Sequence, residues 1–179
     1  MKPLLLQKIT RTEVYFTSHL YQVSKNKPAE MGALLCDKLH LSKEVKIEDS
    51  SFEFCFFRDM AKNELIERLD DSQRKSFEKQ TFDNIYILSD KSIVIIEAKA
   101  QQKFAPKQIN ALVDAKNIIK DSKVFPCEEV YLIGLHSSKY APKDSTINNF
   151  DSTITWAELA KCLGDDERVF ARADKIYNK

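Results

Sequence analysis

Glycine is scarce in this chain of 179 residues, and its three glycines are isolated from one another at Gly32, Gly134 and Gly164. A loop that cradles phosphate through backbone N–H groups needs clustered glycines, so P-loop and dinucleotide-binding sites are excluded. The GxSxG motif that presents the nucleophile of many serine hydrolases is missing as well. Much of the common enzyme repertoire is therefore excluded.

Metal-binding cysteine motifs and long apolar runs are also missing. The four cysteines form no CxxC pair and the three histidines are scattered, so no zinc-ligand spacing is present. No apolar stretch approaches the length needed to cross a membrane, and the amino terminus does not have the composition of a secretory signal. We therefore expect a cytoplasmic protein with reduced cysteines and no membrane partner. The cysteines are Cys36, Cys55, Cys127 and Cys162, and the histidines are His19, His40 and His136.

The chain also lacks a strong charge of either sign. Its formal net charge is +1, with 43% hydrophobic and 31% charged residues, which is typical of an ordinary globular protein. The length predicts a single domain over residues 1–179. Near-neutral charge neither indicates nor excludes a nucleic-acid partner, because a local basic rim can attract one. Lysines do outnumber acidic residues between about residues 90 and 120, although a solvated helix face would produce the same bias.

Two predicted strands carry the residues with the most evident chemistry. The apolar run Ile93–Ile96 has the length and β-branching of a buried strand, and it continues directly into Glu97 and Lys99. Residues i and i+2 of a strand share a face, so these two side chains are expected to project together. The preceding strand Phe82–Leu88, joined by a short turn, brings Asp83 beside them. Two carboxylates and an amine are what a divalent cation and an attacking water need.

The rest of the chain is predicted as helices around a further strand. The segment Ile9–Ser24 is open between helix and strand, and residues 137–151 are predicted as an irregular loop. The remaining elements are a helix from Pro28 to about Leu41, a helix over Pro106–Lys120, a strand over Glu129–His136, a helix from Trp156 capped by Thr155, and a last helix over Asp166–Tyr177.

One further helix matters for the candidate site. The N-cap residues Asp49–Ser51 and the helical spacing of apolar residues over Phe52–Met60 predict a helix that carries Glu53. Helical structure is expected to continue over residues 63–69. Residues 70–80 are open between a short helix and the first strand of the sheet.

The order of these elements, with an aspartate on one strand and Glu97-Ala98-Lys99 ending the next, resembles the PD-(D/E)xK nuclease superfamily, the restriction-endonuclease-like group. The resemblance implies a core over about residues 50–136, from the Glu53 helix to the strand that ends at His136. It implies an α/β fold with an αβββαβ core, a mixed sheet flanked by helices, and extra N-terminal and C-terminal helices. Phe82 stands where the name of the motif has proline.

The resemblance also implies a Mg²⁺ site, in which Mn²⁺ is able to substitute. Its ligands are implied to be Asp83, Glu97 and the main-chain carbonyl of Ala98, an all-oxygen set of the kind Mg²⁺ prefers. Lys99 is implied to position the attacking water and to stabilise the charge that develops on the phosphorus centre.

Two further site residues are carried over from the same resemblance. Many members add a glutamate on the first core helix, and Glu53 is the best match, as an additional candidate metal ligand; Glu30 and Glu64 are weaker matches. Some members carry a glutamine on the helix after the ExK motif, and Gln108 takes that place. Those members have tyrosine four residues later, where this chain has Leu112.

The function implied is Mg²⁺-dependent hydrolysis of phosphodiester bonds in DNA, with DNA as the expected partner. The alternative is a catalytically silent protein of the same fold that binds nucleic acid or a protein partner. A third class is an enzyme that uses the same ligands on a small phosphorylated substrate held in an enclosed pocket. An ordinary ion pair between Glu97 and Lys99, or between Glu53 and either Arg58 or Lys62, would explain the charges without any catalysis. Nothing in the sequence indicates a homodimer interface.

Overall fold

A five-stranded mixed sheet with helices packed on both faces organises the computed structural model, which describes residues 12–64, 80–121, 127–165 and 168–177. No helix in these ranges has the length and apolar composition needed to cross a membrane. The elements in chain order are α1 (Glu13–Asn26), α2 (Pro28–Leu39), β1 (Ile47–Phe54), α3 (Phe56–Lys62), β2 (Phe82–Leu88), β3 (Ile93–Ala98), α4 (Pro106–Asp121), β4 (Val130–His136), α5 (Asp144–Ile147), β5 (Ser152–Thr155), α6 (Trp156–Leu163) and α7 (Val169–Lys175).

The strands lie in the order β1-β2-β3-β4-β5, so each strand neighbours the one next to it in sequence. The first three form an antiparallel meander, and β3, β4 and β5 are parallel. The turn between β2 and β3 is tight because Lys91 takes a left-handed conformation, with φ of 65°. The helix α4 makes the crossover from β3 to β4 that a parallel pair requires.

Two hydrophobic cores cover the two faces of the sheet, and β3 contributes to both because its side chains alternate. Val94 and Ile96 pack in the first core with helices α1, α2, α6 and α7. Ile93 and Ile95 pack in the second core with helices α3 and α4. Burial on both faces accounts for a strand that is apolar without interruption.

Most of the predicted elements are confirmed, including the two strands of the candidate site and the helix between β3 and β4. The helix from Trp156 is capped by Thr155 as predicted. The Thr155 side chain accepts from the backbone N–H of Glu158, and the Glu158 carboxylate accepts from the backbone N–H of Thr155. The ambiguous segment 9–24 is helical from Glu13 onward within the described residues.

The helix predicted from Asp49–Ser51 is wrong. Residues Ile47–Phe54 form the edge strand β1, which pairs with β2, and the helix extends only over Phe56–Lys62. The apparent helical spacing arises because a strand gives way to a helix at Cys55, so residues from two different elements fall on one period by chance. Backbone pairing with β2 overrides the local pattern.

Smaller differences lie near the C-terminal part of the chain. The loop over residues 137–151 contains the short helix α5, and the strand β5 was not predicted because four residues carry little periodicity. The last helix begins at Val169 within the described residues. The predictions for residues 65–79 and for residues 166–167 lie outside the described residues.

Candidate functional site

The antiparallel hairpin of β2 and β3 brings Asp83 and Glu97 together. The register pairs Asn84 with Ile96, so the next positions along the hairpin, Asp83 and Glu97, oppose each other. Side chains at opposed positions of an antiparallel pair lie on the same face. The Asp83 Oδ2 atom accepts a hydrogen bond of 2.7 Å from the backbone N–H of Ala98, which fixes the carboxylate against β3.

The Lys99 side chain is buried and joins these groups. Its Nζ atom donates to Glu97 Oε1 at 2.7 Å and to the main-chain oxygen of Ala98 at 3.0 Å. The backbone on either side is held by neighbouring elements, since the Lys99 N–H donates to the Leu135 carbonyl at 2.7 Å and the Lys99 carbonyl accepts from Trp156 Nε1 at 3.0 Å. The ion pair of Glu97 and Lys99 is thus a buried contact in a rigid setting, and not an exposed pair at a sheet edge.

A further carboxylate in the site was missed by the sequence analysis. Glu13, the first residue of α1, accepts from Lys99 Nζ at 3.0 Å through Oε1 and from the Ala100 N–H at 3.1 Å through Oε2. Thr12 followed by Glu13 has the composition of a helix start, a signal that was available in the sequence. Its contact with a lysine 86 residues away is a product of tertiary folding.

Gln108 joins the site as well. It lies in the first turn of α4, and its Nε2 atom donates to Glu97 Oε1 at 2.5 Å. The same carboxylate oxygen therefore receives hydrogen bonds from both Lys99 and Gln108. Two donors on one oxygen fix the orientation of the Glu97 carboxylate.

Glu53 is at the rim of the site and not on a helix. It lies in β1 between the pairs Phe52–Asn84 and Phe54–Phe82, so it opposes Asp83 across the edge of the sheet. Its side chain is exposed, and its φ of 49° places it in the left-handed region, which is uncommon for a residue other than glycine.

The expected ion-pair partner of Glu53 and the two weaker glutamate candidates lie elsewhere. The proposed partner Arg58 pairs instead with Asp59, at 2.8 Å from Nε to Oδ1. Glu30 lies in the first turn of α2, and Glu64 lies in the turn that follows α3. Phe82, where the motif name has proline, is fully buried against Phe56 in the second core.

Burial and crowding of like charges perturb the carboxylates. Burial, reinforced by the charge of Glu97, raises the pKa of Asp83 to about 8. Burial also raises the pKa of Glu97, although the neighbouring Lys99 opposes this. Burial alone would lower the pKa of Lys99, but the charges of Glu97 and Glu13 outweigh it and raise that pKa above its ordinary value. Glu53 is largely exposed, but partial desolvation and the charge of Glu13 still raise its pKa.

The site therefore contains more carboxyl groups than Lys99 could neutralise if all of them were ionised. Carboxyl groups in surroundings of low dielectric constant hold their protons unless a cation compensates them. Mg²⁺ prefers hard oxygen ligands, and the site offers three: the carboxylates of Asp83 and Glu97 and the carbonyl of Ala98. Among the residues that the structure describes, no three histidine, cysteine, aspartate or glutamate side chains are arranged to hold an ion. The Lys99 ammonium instead contacts Glu97 Oε1 and the Ala98 oxygen, the atoms that an ion would need.

Comparisons with known proteins assign this chain to no family, so a proposal about its function depends on the geometry of the site. No family model, no curated protein and no solved structure matches this chain. The site brings together Asp83, Glu97, Lys99 and Gln108 from the sequence prediction and adds Glu13 to them.

Proposed function

We propose that this chain is a metal-dependent nuclease of the PD-(D/E)xK type, which hydrolyses phosphodiester bonds in DNA. The observation that carries the proposal is the meeting of Asp83, Glu97 and Lys99 at the end of β3, in a buried cluster that holds more carboxyl groups than cations. Such strongly perturbed titratable groups are frequent at functional sites. A purely structural ion pair would need one carboxylate for the lysine, and this lysine pairs with two, Glu97 and Glu13.

The order of the elements supports the same proposal. A helix, the antiparallel meander β1–β2–β3, the crossover α4 and the parallel strand β4 follow the αβββαβ order of that superfamily, with α3 inserted between β1 and β2. In this arrangement Glu13 on α1 replaces Glu53 as the glutamate of the first core helix, because Glu53 lies on a strand.

A divalent cation, Mg²⁺ or Mn²⁺, would be held by Asp83, Glu97 and the Ala98 carbonyl, with Glu13 nearby. When bound, the ion would polarise the phosphodiester and lower the pKa of a coordinated water. The protein groups define the remaining chemistry. Ala98 N–H holds the Asp83 carboxylate in place, and the Gln108 amide fixes the orientation of Glu97.

Lys99 acts as a hydrogen-bond donor in this proposal. Because the surrounding carboxylates raise its pKa, the amine is protonated at neutral pH in the metal-free protein, which favours a role as a donor over a role as a general base. If an ion took over the contacts that Lys99 now makes with Glu97 and the Ala98 carbonyl, the protonated amine would be free to stabilise the negative charge that develops on the phosphate oxygens. The close grouping of the carboxylates favours this catalytic role over a silent binding protein, in which we would expect the carboxylates to be separated.

Cleavage assays with plasmid and single-stranded DNA test the proposal. We expect cleavage only with Mg²⁺ or Mn²⁺, and a loss of rate of about 100-fold or more in Asp83→Asn and in Lys99→Gln. Asp114→Asn, an exposed change of the same kind on α4, should cleave at the wild-type rate. Circular dichroism establishes that each variant is folded. Equal, metal-independent background in all four proteins would show that the cluster does not cleave DNA.

A further inference from the structure

A cleft of about 490 Å³ opens at the edge of the sheet where the strands β3 and β4 end. One wall comes from Lys103–Pro106, shortly after β3, and the other comes from the loop after β4, with Lys139 and Lys143. Because β3 and β4 are parallel, their carboxyl ends meet at the same edge, where Lys99 also lies. The cleft therefore opens beside the candidate site, in the position where α/β sheets commonly bind ligands.

The lining of this lysine cleft is positive. Lys103, Lys139 and Lys143 contribute three exposed ammonium groups, and none of the described residues that line the cleft is an aspartate or a glutamate. None of these lysines forms an ion pair with a carboxylate in the part of the chain that the structure describes, and the Lys139 ammonium makes only a long contact of 3.4 Å to the Lys175 carbonyl. On the neighbouring helix α4, by contrast, Lys116 and Lys120 are paired with Asp151 and Glu129.

Aromatic packing makes the floor of the lysine cleft rigid. The ring of Tyr140 lies 6.0 Å from that of Phe104 and 5.2 Å from that of Tyr177, centroid to centroid. Phe104 packs directly over Gly134 of β4, where an added Cβ would lie only 3.2 Å from its Cζ atom. The loop after β4 is anchored to α7, since the Ser138 N–H and hydroxyl both donate to the Asp174 carboxylate at 2.7 Å. Lys103 and Lys139 thus adjoin buried, packed residues in the chain, Phe104 and Tyr140.

We infer that the lysine cleft binds backbone phosphates of a nucleic-acid strand on its way to the candidate site. The identity of the bound molecule as a nucleic acid rests on the proposed function. Three ammonium groups that form no ion pair within the described residues favour a ligand with several negative charges, and Ser145 and Thr146 add neutral hydroxyl donors to the lining of the cleft. The position of the cleft beside Lys99 favours a polymer that continues past the reacting phosphate.

Fluorescence anisotropy of labelled oligonucleotides in EDTA tests the inference without any cleavage. The variant Lys103→Gln/Lys139→Gln/Lys143→Gln should bind single-stranded DNA at low salt about tenfold or more weakly than the wild type. The slope of log K against log salt should fall by about two, at about 0.7 for each phosphate that the variant no longer neutralises.

A matched variant controls for overall charge. Lys25→Gln/Lys43→Gln/Lys46→Gln removes three exposed lysines near the opposite edge of the sheet and should leave both affinity and salt slope unchanged. Equal binding by all three proteins, or no binding by the wild type at low salt, would overturn the inference. Binding that is lost only in the cleft variant supports the cleft even if the wild type cleaves nothing, a result that would refute the proposed function alone. Full cleavage with unchanged binding in the cleft variant would refute the cleft alone.

Discussion

Replacing Asp83 by asparagine should stabilise the metal-free protein, although the substitution removes a residue proposed to be essential. In the unfolded chain Asp83 ionises near its ordinary pKa of 3.8, whereas burial and the charge of Glu97 raise its pKa to about 8 in the folded protein. Between these values the unfolded chain has released the proton that the folded protein still holds, so stability falls as the pH rises. Asparagine carries no charge to bury, and its side-chain oxygen is able to accept from the Ala98 N–H.

The size of the effect follows from the change in pKa. A rise from 3.8 to about 8 corresponds to about 6 kcal/mol of lost stability above pH 8, at about 1.4 kcal/mol per pH unit. Part of the Asp83 surface is exposed, so water screens a share of this cost. We therefore expect Asp83→Asn to gain about 1–3 kcal/mol above pH 8. The gain should shrink on acidification and vanish below about pH 4, where the carboxyl is protonated in both states.

Urea denaturation in EDTA at several pH values measures this gain. Asp114→Asn removes an exposed carboxylate from α4 and should leave the free energy of unfolding unchanged across the same range. If Asp83→Asn is less stable than the wild type at every pH, the hydrogen bond from Ala98 and the charge of Lys99 stabilise the carboxylate more than burial penalises it. That result would show that the site does not favour the protonated form of Asp83.

Two further substitutions test how the site and the cleft are supported. Trp156→Phe removes the indole donor to the Lys99 carbonyl and leaves that buried oxygen without its partner. We expect the free energy of unfolding in urea to fall by about 1–3 kcal/mol. Unchanged stability would mean that the bond does not hold Lys99. Gly134→Ala places a Cβ 3.2 Å from the ring of Phe104 and should cost about 1–3 kcal/mol by overpacking. Gly32→Ala in α2 is the control, because its added Cβ would lie 3.9 Å from the nearest atom. This substitution should leave stability unchanged or raise it. Equal effects of the two substitutions would contradict the overpacking argument.

The sheet at the site was predictable because its local signals agree. Ile93–Ile96 is β-branched and apolar, the turn before it is polar, and the flanking helix begins at Pro106, so the strand, hairpin and crossover follow from neighbouring residues. The strand Ile47–Phe54 was not predictable in the same way. Its residues are mostly polar on an edge with partial burial, and its stability comes from pairing with β2.

The residues of the candidate site also differ in whether the local sequence predicts their position. Asp83, Glu97 and Lys99 lie within 17 residues of one another in sequence, and hairpin geometry alone is enough to place them together. Glu13 reaches Lys99 only because α1 packs on the first core through side chains such as Phe16, which is a long-range arrangement. Local periodicity carries no information about such a contact.

Titration of Mg²⁺ into the metal-free protein, followed by calorimetry, tests most directly whether the buried carboxylates form a cation site. We expect one ion per folded chain at millimolar or lower concentration, with Glu97→Gln and Asp83→Asn weakening the affinity by at least about tenfold. Asp114→Asn should bind the ion as the wild type does. A folded wild-type protein that takes up no ion at millimolar Mg²⁺, or variants that bind it equally well, would contradict the proposed site.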